Sequence, residues 1–130
     1  MANFPSQEDI KRQTDHYFVK TREVINRFGD SNATYAIFMR RPVCYAPRLI
    51  AEWLHSVAAE RGTEFKIESR FSEGDWVGAG EPLLFISGPL YHLVDLETLY
   101  LQRLGAVCVA AYNAYSMCVT LPDVGFMAMD

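Results

Sequence analysis

The stretch QTDHYFVKT, residues 13–21, sets a carboxylate, an imidazole and a phenol side by side at the head of a segment with helical apolar spacing. An acid and an aromatic ring two positions apart, Asp15 and Tyr17, can serve a planar heterocycle. The ring stacks on its face, and the acid accepts or orients a ring hydrogen bond. The same residues have plainer uses: a carboxylate in a first helical turn is favoured by the helix dipole, and Tyr17 reads equally well as an aromatic at a core edge. The rest of the chemical inventory is thin. His16, His55 and His92 lie in three segments, and none shows a metal-ligand spacing. His55 reads as a surface residue, and His92 as an ordinary residue in the first turn of a long helix. The glycines of GAGEP, 78–82, have no helix directly after them to hold a phosphate, so the segment reads as a hairpin turn. None of Cys44, Cys108 and Cys118 has a nucleophile's context. No catalytic residue and no metal ligand is assigned.

The elements that position these residues follow from periodicity. Ile10, Tyr17, Phe18, Val24, Ile25 and Phe28, with Thr14 and Thr21 on the same face, have helical spacing, and Gly29 supplies a stop. Either one helix starts near Ile10, or Thr14 caps a helix over 15–28. Residues 33–40 read as a strand. A second helix opens with Pro47 at its first position and ends at Gly62, with Leu49, Ile50, Trp53, Leu54 and Val57 as its core stripe. Strict alternation over 64–71 gives a strand with Phe65, Ile67, Ser69 and Phe71 on the packed face. An apolar strand at 83–87 follows, and Pro89 opens a long helix reaching about residue 118. The order of helices and strands is α+β rather than alternating α/β.

Composition narrows the class. A chain of 130 residues is one domain's worth, and 50% apolar, 13% aromatic and 22% charged residues make an ordinary globular composition. A net charge of −4 argues against nucleic acid, and the Arg40–Arg41 pair reads as a solvated strand end. Three scattered cysteines and no apolar leader at the N-terminus point to a reducing, cytoplasmic setting. Residues 104–121 carry no charge, but Asn113, Ser116, Thr120 and two tyrosines make a buried core helix the expectation, not a membrane span. The apolar end VGFMAMD, 124–130, reads as a strand, and such an exposed edge implies either that more protein follows or that the strand docks as a terminal element.

Two stretches together resemble a known family. TDHYF matches the TDxY motif of nicotinate and nicotinamide phosphoribosyltransferases. EGDWVGAGEPLLFISGPLYHLVDLETLYLQRLG, from Glu73, resembles their G-D-x-V-x-x-G-E-P-L turn and strand, leading through I-x-G-P into a helix with L-x-x-x-E-T-x-x-L. The resemblance implies an N-terminal helix-and-sheet domain over 1–121, with 122–130 starting a strand of an α/β barrel absent from this chain. It implies phosphoribosyl transfer from phosphoribosyl pyrophosphate to nicotinate in NAD biosynthesis, in a homodimer with shared active sites. Mg2+ and ATP are implied too, with their ligands outside this chain. Asp15 and Tyr17 would contact the base across the dimer interface, with Thr14 capping their helix. His16 departs from the small or apolar residue expected there and takes no role. Quinolinate phosphoribosyltransferases carry E-R-T-x-L-N in the long helix, whereas no arginine follows Glu97 here; nicotinate is therefore expected over quinolinate, with nicotinamide an alternative. Two other classes compete. The Gly-Asp turn is also similar to half of a lipoyl or biotinyl carrier, but Lys11, Lys20 and Lys66 occupy helix or strand, not an exposed hairpin. The remaining class is a non-catalytic dimerisation or binding module.

Overall fold

A computed structural model describes residues 4–127 and Met129. Its first two helices are α1 (Gln7–Gln13) and α2 (His16–Phe28). Ser6 opens α1 through a capping box with Asp9: the Asp9 amide donates to Ser6 Oγ at 3.2 Å, and the Ser6 amide donates to Asp9 Oδ2 at 3.1 Å. Neither sequence reading of this region holds. The chain is extended at Thr14 and Asp15, and Asp15, not Thr14, is the N-cap of α2. Helical spacing alone does not reveal such a break, because the apolar face stays in phase across it.

β1 (Asn32–Phe38), β5 (Pro82–Pro89) and β3 (Lys66–Ser69) form an antiparallel sheet with β5 central. Ile37 pairs with Leu84 and Phe38 with Pro82, which leaves Leu83 unmatched in a bulge. The bulge explains why Leu83 and its neighbour Leu84 are both buried. β2 (Val43–Cys44) and β4 (Trp76–Val77) make a separate two-stranded ribbon. GAGEP therefore does not close a hairpin: it carries the chain from β4 of one sheet to β5 of the other, with the Gly80 amide donating to Met39 O at 2.8 Å. The hairpin that a lipoyl-like carrier needs is absent at this turn, and Lys66 sits within β3 beside Glu68 at 3.0 Å.

α3 (Arg48–Glu60) has Pro47 just before it as N-cap and Arg61 just after it, ahead of Gly62 with φ +63°. Its inner face is Ile50, Trp53, Leu54, Val57 and Ala58; Leu49, expected in the core, is half exposed. The Trp53 indole donates to Pro5 O at 3.3 Å, tying the N-terminal segment to α3. On β3 the packed face is Phe65, Ile67 and Phe71, while Ser69 is exposed and bonds its own turn.

Pro89 opens only a short α4 (Leu90–Leu93). A 3-10 turn, Val94–Leu96, intervenes before α5 (Glu97–Thr120). α5 buries Leu99, Tyr100, Leu104 and Cys108. Past Cys108 it leaves the core, with Tyr115, Met117 and Val119 exposed, so the buried-helix expectation for 104–121 holds only at its start. Among the described residues no helix is long and apolar enough to cross a membrane. Residues 124–127 are not in a strand, and Ala128 and Asp130 lie outside the described residues.

One close approach in the sheet has a testable consequence. A Cβ on Gly88 would lie 2.8 Å from a ring carbon of buried Phe65 and 3.2 Å from Glu64 O. Gly88→Ala is expected to cost about 1–2 kcal/mol by overpacking, read as a lowered urea midpoint with unchanged m.

Candidate functional site

The strongest polar feature of the fold was missed in the sequence. Asp95, in the 3-10 turn before α5, is the only buried charged residue among the described residues, at 5% exposure. Arg61, at the end of α3, grips it with two nitrogens, at 2.8 Å to Oδ1 and 3.0 Å to Oδ2. Arg22 of α2 adds a third bond at 2.9 Å to Oδ2 and lies 4.2 Å over the Tyr91 ring. Arg61 also donates to His92 O at 2.8 Å and to Gln7 Oε1 at 3.0 Å. One carboxylate thus joins α1, α2, α3 and the approach to α5. Forked, charge-assisted bonds of this kind are what allow a carboxylate to stay buried. The local signal was an aspartate inside the apolar run LVDL; its partners are non-local and have no signature in spacing. His92, read as ordinary, also has a buried Nδ1 without a partner here.

The three site residues expected from sequence divide between two places. Thr14 Oγ1 lies 2.6 Å from Ile10 O and 3.0 Å from Asp95 O, so its hydroxyl belongs to the Asp95 cluster. Asp15 is exposed, and its Oδ1 accepts from the Tyr17 amide at 3.0 Å. Its second oxygen has no partner among the described residues. Asp15→Ala is expected to cost about 1 kcal/mol through loss of this cap, seen as a lower thermal midpoint. Tyr17 is 69% exposed, with only the edge of Phe18 beside it at 5.5 Å between centroids. A ring this free is presented rather than packed.

A groove lies between β1 and α5, and Tyr17 is not among its lining residues. Tyr35, Phe38, Arg40, Glu97, Tyr100 and Leu101 are among its lining, around a volume of 270 Å³. Burial, and then the neighbouring Glu97 and Tyr17, push the Tyr35 phenol above its ordinary value. Burial also raises Glu97. Tyr100 is 1% exposed, its ring 6.1 Å from that of Tyr35, and its hydroxyl has no hydrogen-bond partner. Burial pushes that phenol far up, so it is a donor at any ordinary pH. Arg40 forms no ion pair among the described residues. The groove thus offers an aromatic wall and a cation, with the unengaged Tyr100 hydroxyl buried behind the wall, a set that can hold a flat, carboxylate-bearing ring.

The described residues contain no group of three or more His, Cys, Asp and Glu that could hold a metal ion. Cys44, Cys108 and Cys118 are free thiols; burial raises the Cys108 thiol, the opposite of what a nucleophile needs.

No family model matches the sequence, and no curated protein does. Solved structures do. The nicotinate-nucleotide pyrophosphorylase of Francisella tularensis superposes with a TM-score of 0.65 at 11% identity, over 94% of this chain and 45% of that one. NadC from Streptococcus pyogenes gives 0.63 at 17% identity, over 92% and 38%. The nicotinate-nucleotide pyrophosphorylase of Pyrococcus furiosus gives 0.62 at 20% identity, over 80% and 28%. This chain therefore spans less than half the length of each, and its α+β fold is that of their N-terminal portion.

Proposed function

We propose that this chain is the N-terminal part of a pyridine phosphoribosyltransferase, with quinolinate the favoured base. The observation that supports this reading is the fold likeness to nicotinate-nucleotide pyrophosphorylases across nearly the whole chain, with the TDxY residue Tyr17 exposed in the first turn of α2. The choice of base departs from the sequence reading. Nicotinate was expected because no arginine follows Glu97 to hold a second carboxylate. The fold neighbours favour the two-carboxylate alternative, and Arg40 lines the same groove as Glu97, so the missing cation has a substitute from the bend after β1.

In this reading Tyr17 stacks on the pyridine, Arg40 pairs with a ring carboxylate and the Tyr100 hydroxyl donates to another acceptor on the base. These groups position the ring nitrogen for attack on the anomeric carbon of phosphoribosyl pyrophosphate, as pyrophosphate leaves with the bonding pair. Nicotinate mononucleotide has one carboxylate and quinolinate two, so the balanced reaction releases one CO2 per pyrophosphate. In this reading Asp15, Tyr17, Arg40 and Tyr100 together face the partner's barrel across a homodimer interface, and the phosphate-binding and magnesium-binding groups belong to that barrel.

The test is turnover by the full-length protein with phosphoribosyl pyrophosphate and each base, with and without ATP. Equal release of pyrophosphate and CO2 from quinolinate, independent of ATP, is the expected result. ATP-stimulated turnover of nicotinate would restore the first choice, and no turnover of any base would leave a binding or dimerisation module. In the active protein, Tyr17→Ala is expected to raise KM for the base about tenfold with the fold intact, because the exposed ring contributes little packing.

A further inference from the structure

We infer that Asp95 is a positioning residue: through Arg22 and Thr14 it fixes the start of α2, which displays Asp15 and Tyr17, against the start of α5, which carries Glu97 and Tyr100. This rests on the proposed function for its catalytic consequence, but not for its geometry.

Asp95 stands two residues before Glu97, in the 3-10 turn that leads into α5. Its carboxylate takes one bond from α2 through Arg22, and its backbone oxygen lies 3.0 Å from Thr14 Oγ1, at the extended joint between α1 and α2. Both links reach the segment that presents Tyr17. Besides these links, half-buried Phe18 is the side chain near the start of α2 that packs inward. α2 buries only Ile25, near its far end, while Tyr17, Val19 and Val24 are exposed. Ile25 therefore anchors the C-terminal half of α2, while the Asp95 links hold its middle, at Arg22, and the joint before it, at Thr14. Arg61 has a different part. It binds the same carboxylate from the end of α3 with two bonds and is itself nearly buried. The two arginines are thus separable: Arg61 seats the carboxylate in the fold, and Arg22 connects it to the helix that reaches the base. A cluster that served the core alone would not need the link through Arg22, whose side chain is 31% exposed.

The experiment uses the full-length protein with Arg22→Met and Asp95→Asn, and Arg22→Lys as the conservative control. Hydrogen exchange is expected to speed up at least about tenfold for amides 15–21, with α3 unchanged, in Arg22→Met. KM for the base should rise about tenfold or more with kcat within about twofold, since misplacing a binding group lowers productive occupancy. Arg22→Lys should recover most of both. Unchanged exchange at 15–21, or an equal rise across α2 and α3, overturns the inference. If Asp95→Asn does not fold, Arg22→Met still decides, because it leaves the Arg61–Asp95 pair in place. If wild type turns over no pyridine base, the functional reading fails, while the exchange result alone still decides whether Asp95 positions α2.

Discussion

Arg61→Ala is expected to destabilise the domain by about 3–5 kcal/mol, more than any other single change considered. Arg61 supplies both forked bonds to the deeply buried Asp95, and only Arg22 would remain, from a partly exposed position. The cost is mainly that of a buried carboxylate left under-compensated, not the net worth of an ion pair. Two further contacts go with it, to Gln7 Oε1 and His92 O, so α1 and α4 loosen from α3 together. Urea unfolding followed by circular dichroism gives the measurement. Asp95→Asn in the Arg61→Ala background should recover part of the loss, because the charge that needed compensation is gone. A loss under about 1 kcal/mol would mean that Asp95 is better solvated than its burial indicates.

The contrast between what was and was not legible in the sequence has a physical basis. Local signals sufficed for α3, where Pro47, the apolar stripe and Gly62 fall within one segment, and in part for β3, which is shorter than the alternation over 64–71 and leaves Ser69 exposed. They failed where two arrangements share one local pattern. Thr14 and Asp15 both suit a helix cap, and the choice between them depends on Asp95 O, which is brought close only by the tertiary fold. The Gly-rich turn at 78–81 has hairpin composition, yet the pairing of β4 with β2 and of β5 with β1 and β3 decides that it joins two sheets. Leu49 lies on the expected stripe but falls at the exposed border of α3 because the core is centred on Trp53 and Leu54. For the site, Tyr17 was legible as a presented aromatic, but Tyr100 was not. A tyrosine in an apolar helix looks like core, and only the unsatisfied hydroxyl distinguishes it.

That hydroxyl gives a prediction with opposite signs for stability and binding. Tyr100→Phe removes a buried oxygen that has no partner and keeps the ring in contact with Tyr35. In the absence of ligand the variant is expected to be more stable by about 1–3 kcal/mol, since an unmade buried hydrogen bond is a cost the folded state otherwise bears. If the groove holds a carboxylated ring, the same change removes the donor that the ring would satisfy, and affinity should fall about tenfold or more. Differential scanning calorimetry of the free protein and titration of the full-length enzyme with the base measure the two arms. A gain in midpoint together with weaker binding marks the hydroxyl as retained for its ligand at the expense of stability. A gain in midpoint with unchanged binding would remove Tyr100 from the site and leave the base to Tyr17 and Arg40. A loss of stability would mean that the hydroxyl already has a partner in solution, and the groove would then have one fewer group with which to hold a base.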